Sequence, residues 1–351
     1  MKHKIIPAVL IALIAACLLC GSAAAAISGS GTSSNPYVIH DKNDLRLLSG
    51  DGYAAYTAAG YFVLDGDDDD YVFTSSDAAF TPIGDNAHKF IGHFDGRNHK
   101  ITGLRITGNQ AGLFAYVSSG ASISNIEFHD AQITGNGGSG TGVLYARCYG
   151  ATSQVTVNNV NVYNSKVTSS GEVVGGIAGY GAQTNSQVIF TSCHVIGCVI
   201  TSSSGNYVGG IAGFGASTSS QAKFTSCAVK DCVIVSSSGG IVGGIAGYGA
   251  ATSSQATAQS CNVENCYVYA KTSHAGGIFG YGTYATGTTC TITNCNVLKT
   301  TIRADTSYAG GIYGSYRNNG GQPTVSGCTV TDCTVLTAAN GGGVAGGYSS
   351  G

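Results

Sequence analysis

Gly175-Gly176-Ile177-Ala178-Gly179-Tyr180-Gly181 returns as Gly209-Gly210-Ile211-Ala212-Gly213-Phe214-Gly215 and again, with small changes, from Gly243, Gly276, Gly310 and Gly342. One copy alone would pass for a glycine-rich loop that cradles a phosphate, because glycine lets backbone N–H groups come close to an anion. Six copies at intervals of 34, 34, 33, 34 and 32 residues say something else. A period of that size marks stacked repeats, in which no unit buries its apolar face without a neighbour.

Outward from the phrase, the strand that opens each repeat can be aligned by hand. Ser124-Asn125-Ile126-Glu127-Phe128-His129-Asp130, Asn158-Asn159-Val160-Asn161-Val162-Tyr163-Asn164 and Ser192-Cys193-His194-Val195-Ile196-Gly197-Cys198 start 34 residues apart. Cys193 and Val195 share one parity and Cys198 and Ile200 the other, so a single flat strand would point the two pairs to opposite faces. A corner near Ile196-Gly197 turns both inward. Each unit then reads as strand, corner, strand, a Ser/Thr/Gly turn, the glycine phrase and a polar loop such as 215–221. With no helical period after residue 50, the expected fold is all-β: a parallel β-solenoid of stacked β-arches, about 4.8 Å per rung, with a small N-terminal cap containing one short helix.

The chain divides into an export signal at 1–26, a cap with the first rungs at 27–110, and the repeat solenoid at 111–351. Lys2 and Lys4 give the signal its basic end, Ile5 to Leu19 its apolar run and Ala23 to Ala26 a small-residue cleavage zone. Two alternatives stay open there: lipidation at Cys17 after Ile14-Ala15-Ala16, and an uncleaved anchor. No membrane span is expected in the mature chain. In the cap, Asp41 should cap a helix over 43–49, and Tyr61 to Leu64 should form a strand that leads into the acidic run Asp65 to Asp70.

With 54 glycines, no Trp, 10% charged residues and a net charge of -2, the chain offers no basic surface to nucleic acid or anionic lipid. Its 43% hydrophobic content excludes disorder.

Gly31 to Ile39, the leucine helix, Tyr61-Phe62-Val63-Leu64-Asp65, Thr81-Pro82-Ile83-Gly84, Phe90-Ile91-Gly92-His93-Phe94-Asp95-Gly96, Ile101-Thr102-Gly103-Leu104 and Ala111-Gly112-Leu113-Phe114 follow in an order that resembles surface proteins carrying the GLUG-type repeat. That resemblance spans about residues 30 to 350. It implies an exported right-handed parallel β-helix with a role in adhesion or cell-surface architecture.

Ten cysteines fall into five pairs of equal spacing: Cys193/Cys198, Cys227/Cys232, Cys261/Cys266, Cys290/Cys295 and Cys328/Cys333. Disulfides are the expectation for an exported chain, joining either the two members of a pair or equivalent cysteines on successive rungs. Buried thiols and a zinc site are the alternatives, although structural zinc wants closer ligand spacing and only His194 lies nearby. Cys148 has no partner in the pattern and is a candidate for a bond between molecules, or else a single buried thiol. Asn125, Asp130, Asn159 and Asn164 hold the positions later taken by cysteine, and serve either as an amide ladder or as turn residues. Tyr180, Phe214, Tyr248 and Tyr281 form an aromatic ladder, a packing feature first and a sugar platform second; it slips by one residue to Tyr316 and Tyr348.

No cofactor, metal ligand set or catalytic residue is expected. The Asp65 to Asp70 run lacks the EF-hand spacing and reads as a solvated loop. Asp85, His88, His93, Asp95 and His99 do not isolate the two separated carboxylates that a polysaccharide lyase or hydrolase would need. Between Gly175 and Gly351 there are ten charged residues, too few to guard an edge against association, and the repeat is still unfinished at the last residue. The expected partner is the chain itself, head to tail or in a ring. In these features the sequence is similar to the sheath proteins of filamentous methanogenic archaea, which implies an extracellular, amyloid-like, disulfide-reinforced cell sheath. A monomeric β-helix adhesin is the alternative.

Overall fold

The computed structural model describes residues 27–317 and 321–349. The expected export signal, 1–26, lies outside the described residues. From Tyr37 onward the chain winds as a β-solenoid whose strands fall into three sheets of 15, 14 and 8 strands, every ladder between them parallel. One rung shows the plan. Gln187–Thr191 and His194–Ile196 lie in the first sheet, Val199–Ser202 and Tyr207–Gly209 in the second, and Ala212–Ser217 in the third. Successive rungs stack in register, Val188 on Ala222, Val195 on Val229, Ile200 on Ile234 and Tyr180 on Phe214.

Alternation sets the core. Phe224, Val229, Ile234, Val242, Ile245 and Ala246 of a single rung are each at most 1% exposed, and the same columns are filled in the rungs on either side. Ile177, Ile211, Ile245 and Ile278 of the glycine phrase are wholly buried. The first glycines of the phrase are needed for close approach. A Cβ on Gly210 would lie 2.1 Å from the Gly244 carbonyl oxygen and 2.7 Å from Val229 Cγ2, so no side chain fits between those rungs.

Corners are built on residues with left-handed backbone. Asn125, Asn159, Ser192, Ser226, Ser260 and Asn294 form one such column (φ 51° to 54°), and Asp130, Asn164, Gly197, Asp231, Asn265, Lys299 and Asp332 a second (φ 48° to 67°). Asn and Asp tolerate this region better than most residues. The corner expected at Gly197 is present. The one at Ser192 comes in addition, and between them they bring Cys193, Val195, Cys198 and Ile200 to the inside.

The hand alignment slips at one place. Val155 pairs with Val188 and Asn158 with Thr191, 33 residues on, so Asn159 stands opposite Ser192 rather than Cys193. Asn125, Asp130, Asn159 and Asn164 are therefore corner residues, one position before the cysteine columns. They also bond along the axis: Asn159 Nδ2 donates to Asn125 Oδ1 at 3.1 Å, and Asn125 Nδ2 donates to Asp95 Oδ1 at 3.0 Å.

At the N-terminal end the helix α1 (Lys42–Leu47) is capped by Asp41, whose carboxylate accepts the N–H groups of Asn43 and Asp44 at 2.7 and 2.9 Å. Leu45 and Leu48 close over the first rung beside Tyr53, Phe62 and Phe90. The acidic run is more than a solvated loop. Asp68 holds His99 Nδ1 at 3.2 Å and Lys100 Nζ at 3.4 Å, and Asp65 pairs with Arg97, so the run clamps the strand His93–Thr102. Among the described residues no helix is long and apolar enough to cross a membrane.

Candidate functional site

Two features stand out from the regular packing: columns of thiols beneath the corners, and an aromatic groove outside the core.

All eleven cysteines among the described residues are free thiols. In-register stacking arranges them as Cys193, Cys227, Cys261, Cys295 and Cys328 behind the first corner, and Cys198, Cys232 and Cys266 behind the second. Cys290 breaks the expected pairing. It stacks on Ala256 in the Val188 column, while Cys295 continues the Cys261 column and Thr300 takes the slot after Cys266. The equal spacing of Cys290/Cys295 thus arises from two different positions in the rung. Cys148 is wholly buried, and burial pushes its pKa up to about 12.

The corner thiols perform a backbone task. Cys198 N–H donates to Cys232 Sγ at 3.3 Å, Cys261 N–H to Cys295 Sγ and Cys295 N–H to Cys328 Sγ, both at 3.4 Å. The sulfurs donate in turn to the carbonyl two residues back, as in Cys232 Sγ to Lys230 O at 3.1 Å. Oxygen does the same work elsewhere. Ser165 Oγ accepts Ala131 N–H at 2.9 Å, Thr300 Oγ1 accepts Cys266 N–H at 3.3 Å, and at the third corner Ser220 Oγ accepts Ser186 N–H at 3.2 Å. A left-handed corner takes the next N–H out of the ladder, and a small side chain of the adjacent rung restores its acceptor. The Cys198 thiol is held protonated by the neighbouring Cys232 sulfur and by burial. No group of three or more His, Cys, Asp or Glu suited to a metal occurs among the described residues.

The aromatic groove arises from the glycine phrase. Where the chain turns between Tyr207–Gly209 and Ala212–Ser217, the outer side chains of the two strands converge: Tyr207 meets Phe214 at 4.9 Å and Tyr248 at 5.2 Å, both edge to face. Tyr180, Phe214, Tyr248 and Tyr281 stack along the axis with centroids 5.9, 4.7 and 5.1 Å apart. They form, with Val173, an apolar cluster separate from the core. Arg147 lies over the Tyr180 ring at 4.8 Å and Arg317 over the Tyr284 ring at 4.7 Å. Burial raises the Tyr248 pKa and lowers that of His274 to about 4, so both stay neutral near pH 7. The packing role expected of the ladder is what the distances describe. The groove beside it, a cavity of about 580 Å3, was not legible in the sequence because it depends on the concave bend.

Asp85, His88, Asp95 and His99 do not assemble into a catalytic pair. Asp95 accepts from Arg97 N–H and Asn125, Asp85 accepts the N–H groups of Ala87 and His88 in a turn, and His99 bonds Asp68.

No protein-family model matches the chain. It is 29% identical over 193 residues to a candidate Gly-rich membrane protein of Evansella cellulosilytica, a match covering 46% of this chain and 22% of that protein. It is 28% identical over 158 residues to halomucin of Haloquadratum walsbyi, covering 43% of this chain and 2% of the other. The chain thus spans a small part of the curated relatives it matches. Among solved structures, a candidate immunoglobulin A1 protease from Bacteroides ovatus superposes with a TM-score of 0.53 at 19% identity, over 92% of this chain and 86% of that one. At that identity the likeness concerns the fold, a repetitive β-helix, and nothing of the chemistry.

Proposed function

We propose that the chain is a structural subunit of an extracellular sheath or surface layer, built from copies of itself stacked rung on rung. The supporting observation is the stacking itself: every ladder is parallel and in register, and beyond His129 the rungs carry only two of the nine ion pairs among the described residues, Lys230–Glu264 and Arg303–Asp305, so charge does little to oppose another copy. The edge that carries Val325, Val330 and Val335, all partly buried, is the face proposed for it. The other end is different. Helix α1 and Tyr53 close it, and Val38 N–H is already taken by Ser28 O at 2.8 Å. A last rung docked on a cap is a heterologous joint that propagates, and two last rungs docked together make an isologous joint that stops at a dimer. The propagating joint is the one proposed, because it keeps successive copies pointing along the one axial direction that the parallel ladders within the chain follow.

The proposed joint is held by packing: Cys328 and Cys333 are partly exposed thiols, but the cap that they would face carries no cysteine between residues 27 and 147. The names of the relatives, one of them a membrane protein, support a cell-surface location. An adhesin is the second reading, favoured by the aromatic groove.

Sedimentation of residues 27–351 tests the proposal. The native sequence is expected to associate beyond the dimer in dilute buffer, and Val330→Lys with Val335→Lys to remain monomeric with unchanged circular dichroism. A native chain that stays monomeric at all concentrations, or halts at a dimer, overturns it.

A further inference from the structure

The groove beside the tyrosine ladder has polar features that packing does not use. It is lined by Tyr207, Tyr248, His274, Tyr281, Tyr284 and Arg317 among others, and runs along the solenoid axis over several rungs. The Tyr248 hydroxyl stands close enough to those of Tyr281, Tyr207 and Tyr284, and to the Arg317 guanidinium, to feel their charge. Among the described residues no protein group bonds the hydroxyls of Tyr248, Tyr207 and Tyr284, and none of the three is a buried polar atom left without a partner, so they open onto the groove. Arg317 is the one charged side chain of the lining, while the Glu172 carboxylate, outside it, lies close enough to Tyr207 and Tyr180 to act on both.

The chemistry that fits is a ring with apolar C–H faces, many hydroxyls and a negative charge. Aromatic edges and the Tyr284 ring, 43% exposed, supply the apolar contact, the unpaired phenols meet the hydroxyls, and the guanidinium takes a carboxylate with two parallel N–H donors. His274 does not compete for that charge. Its imidazole stacks on Tyr308 at 5.4 Å, bonds Ser307 Oγ at 3.1 Å and stays neutral. The rings of Tyr180, Phe214, Tyr248 and Tyr281 recur on four successive rungs with centroids 5.9, 4.7 and 5.1 Å apart, a step comparable to the advance of a sugar chain by one residue. We propose that this groove binds an acidic polysaccharide, a chain of uronate sugars lying along the solenoid axis. The inference does not depend on polymerisation, since a monomeric chain would carry the same groove.

Hexagalacturonate is a suitable probe, with cellohexaose as its neutral counterpart, read by calorimetry and by tyrosine emission, which no Trp obscures. The native chain is expected to bind the uronate and to bind cellohexaose at least tenfold more weakly. Arg317→Gln should weaken uronate binding tenfold or more while leaving cellohexaose unchanged, Arg317→Lys should recover part of the loss, and Tyr284→Ala should weaken both sugars. Circular dichroism establishes that each variant folds. Absence of uronate binding by the native chain overturns the proposal, as does equal binding of the two sugars, or uronate binding that survives both Arg317→Gln and Tyr284→Ala. An association-deficient variant, Val330→Lys with Val335→Lys, run in parallel separates this result from the fate of the sheath reading.

Discussion

The early rungs and the later ones turn the same corner by different means. Ser122–His129 and Val155–Tyr163 run unbroken through the Asn125 and Asn159 corner, whereas from Ser192 onward the strand divides there, first as Gln187–Thr191 and His194–Ile196. Backbone angles do not explain the difference, since φ is 52° at Asn159 and 51° at Ser192. The next residue does. Ile126 and Val160 follow the corner in the early rungs, Cys193 and Cys227 in the later ones. Sulfur accepts the N–H that a carbonyl would otherwise take, and the ladder opens locally without leaving a buried donor unpaired. Charge divides along the same line. Seven of the nine ion pairs among the described residues lie between His40 and His129, leaving Lys230–Glu264 and Arg303–Asp305 for everything beyond. The solenoid therefore has a clamped, charged half and a sulfur-cornered, nearly neutral half, and the proposed joint belongs to the second.

The largest effect expected to sharpen this comparison comes from the glycine phrase. Gly244→Ala would set a Cβ 2.0 Å from the Gly277 carbonyl oxygen, and should cost on the order of 3–5 kcal/mol in urea unfolding. Gly108→Ala in the early rungs meets nothing within 4 Å and should stay within about 1 kcal/mol of the native chain. Cys232→Ala, measured with reductant present, removes the acceptor of Cys198 N–H and should cost about 1–3 kcal/mol, whereas Cys232→Ser should recover most of that loss. If serine fares no better than alanine, the thiols are only apolar filler and the distinction between the halves dissolves.

Acid should loosen the two halves in separate windows. His274 has a folded-state pKa of about 4, below its ordinary 6.5, so its contribution is complete above pH 6.5 and is lost as pH falls towards 4, by up to about 1.4 kcal/mol per pH unit. His274→Gln should flatten that slope. Asp77 belongs to the clamped half. The Thr74 N–H and the Lys42 ammonium hold its pKa below 3.8, so its contribution is present above that value and fades only under stronger acid. Unfolding followed by Tyr248 and Tyr281 signals between pH 6.5 and 4 should respond before the cap does. The smallest effect is Glu264→Gln, which breaks an exposed pair with Lys230 and should change stability by less than about 0.5 kcal/mol.

Much of the fold was legible because stacking repeats its requirements at a fixed interval. The glycine phrase marked the tight approach between rungs, the isoleucines the core, and the parity switch at Gly197 a corner. The corner at Ser192 is hidden in the sequence because serine, asparagine and glycine all serve a left-handed position, so a 34-residue period sets Asn159 against Cys193 although its structural counterpart is Ser192. Asn and Asp recurring at 125, 159 and 294, and at 130, 231 and 332, were the available signal. Equal spacing misled at Cys290, since spacing records distance along the chain and not the column a residue occupies. The groove could not be read at all: it follows from the direction of a bend, which the sequence of a single strand does not encode.

Electron microscopy of the purified chain, residues 27–351, assembled at neutral pH tests the central claim most directly. The account predicts filaments or tubes in which solenoids, each with a rung spacing of about 4.8 Å, follow one another along a common axis, the last rung of one copy against the cap of the next. Single, separate solenoids at every concentration would contradict it.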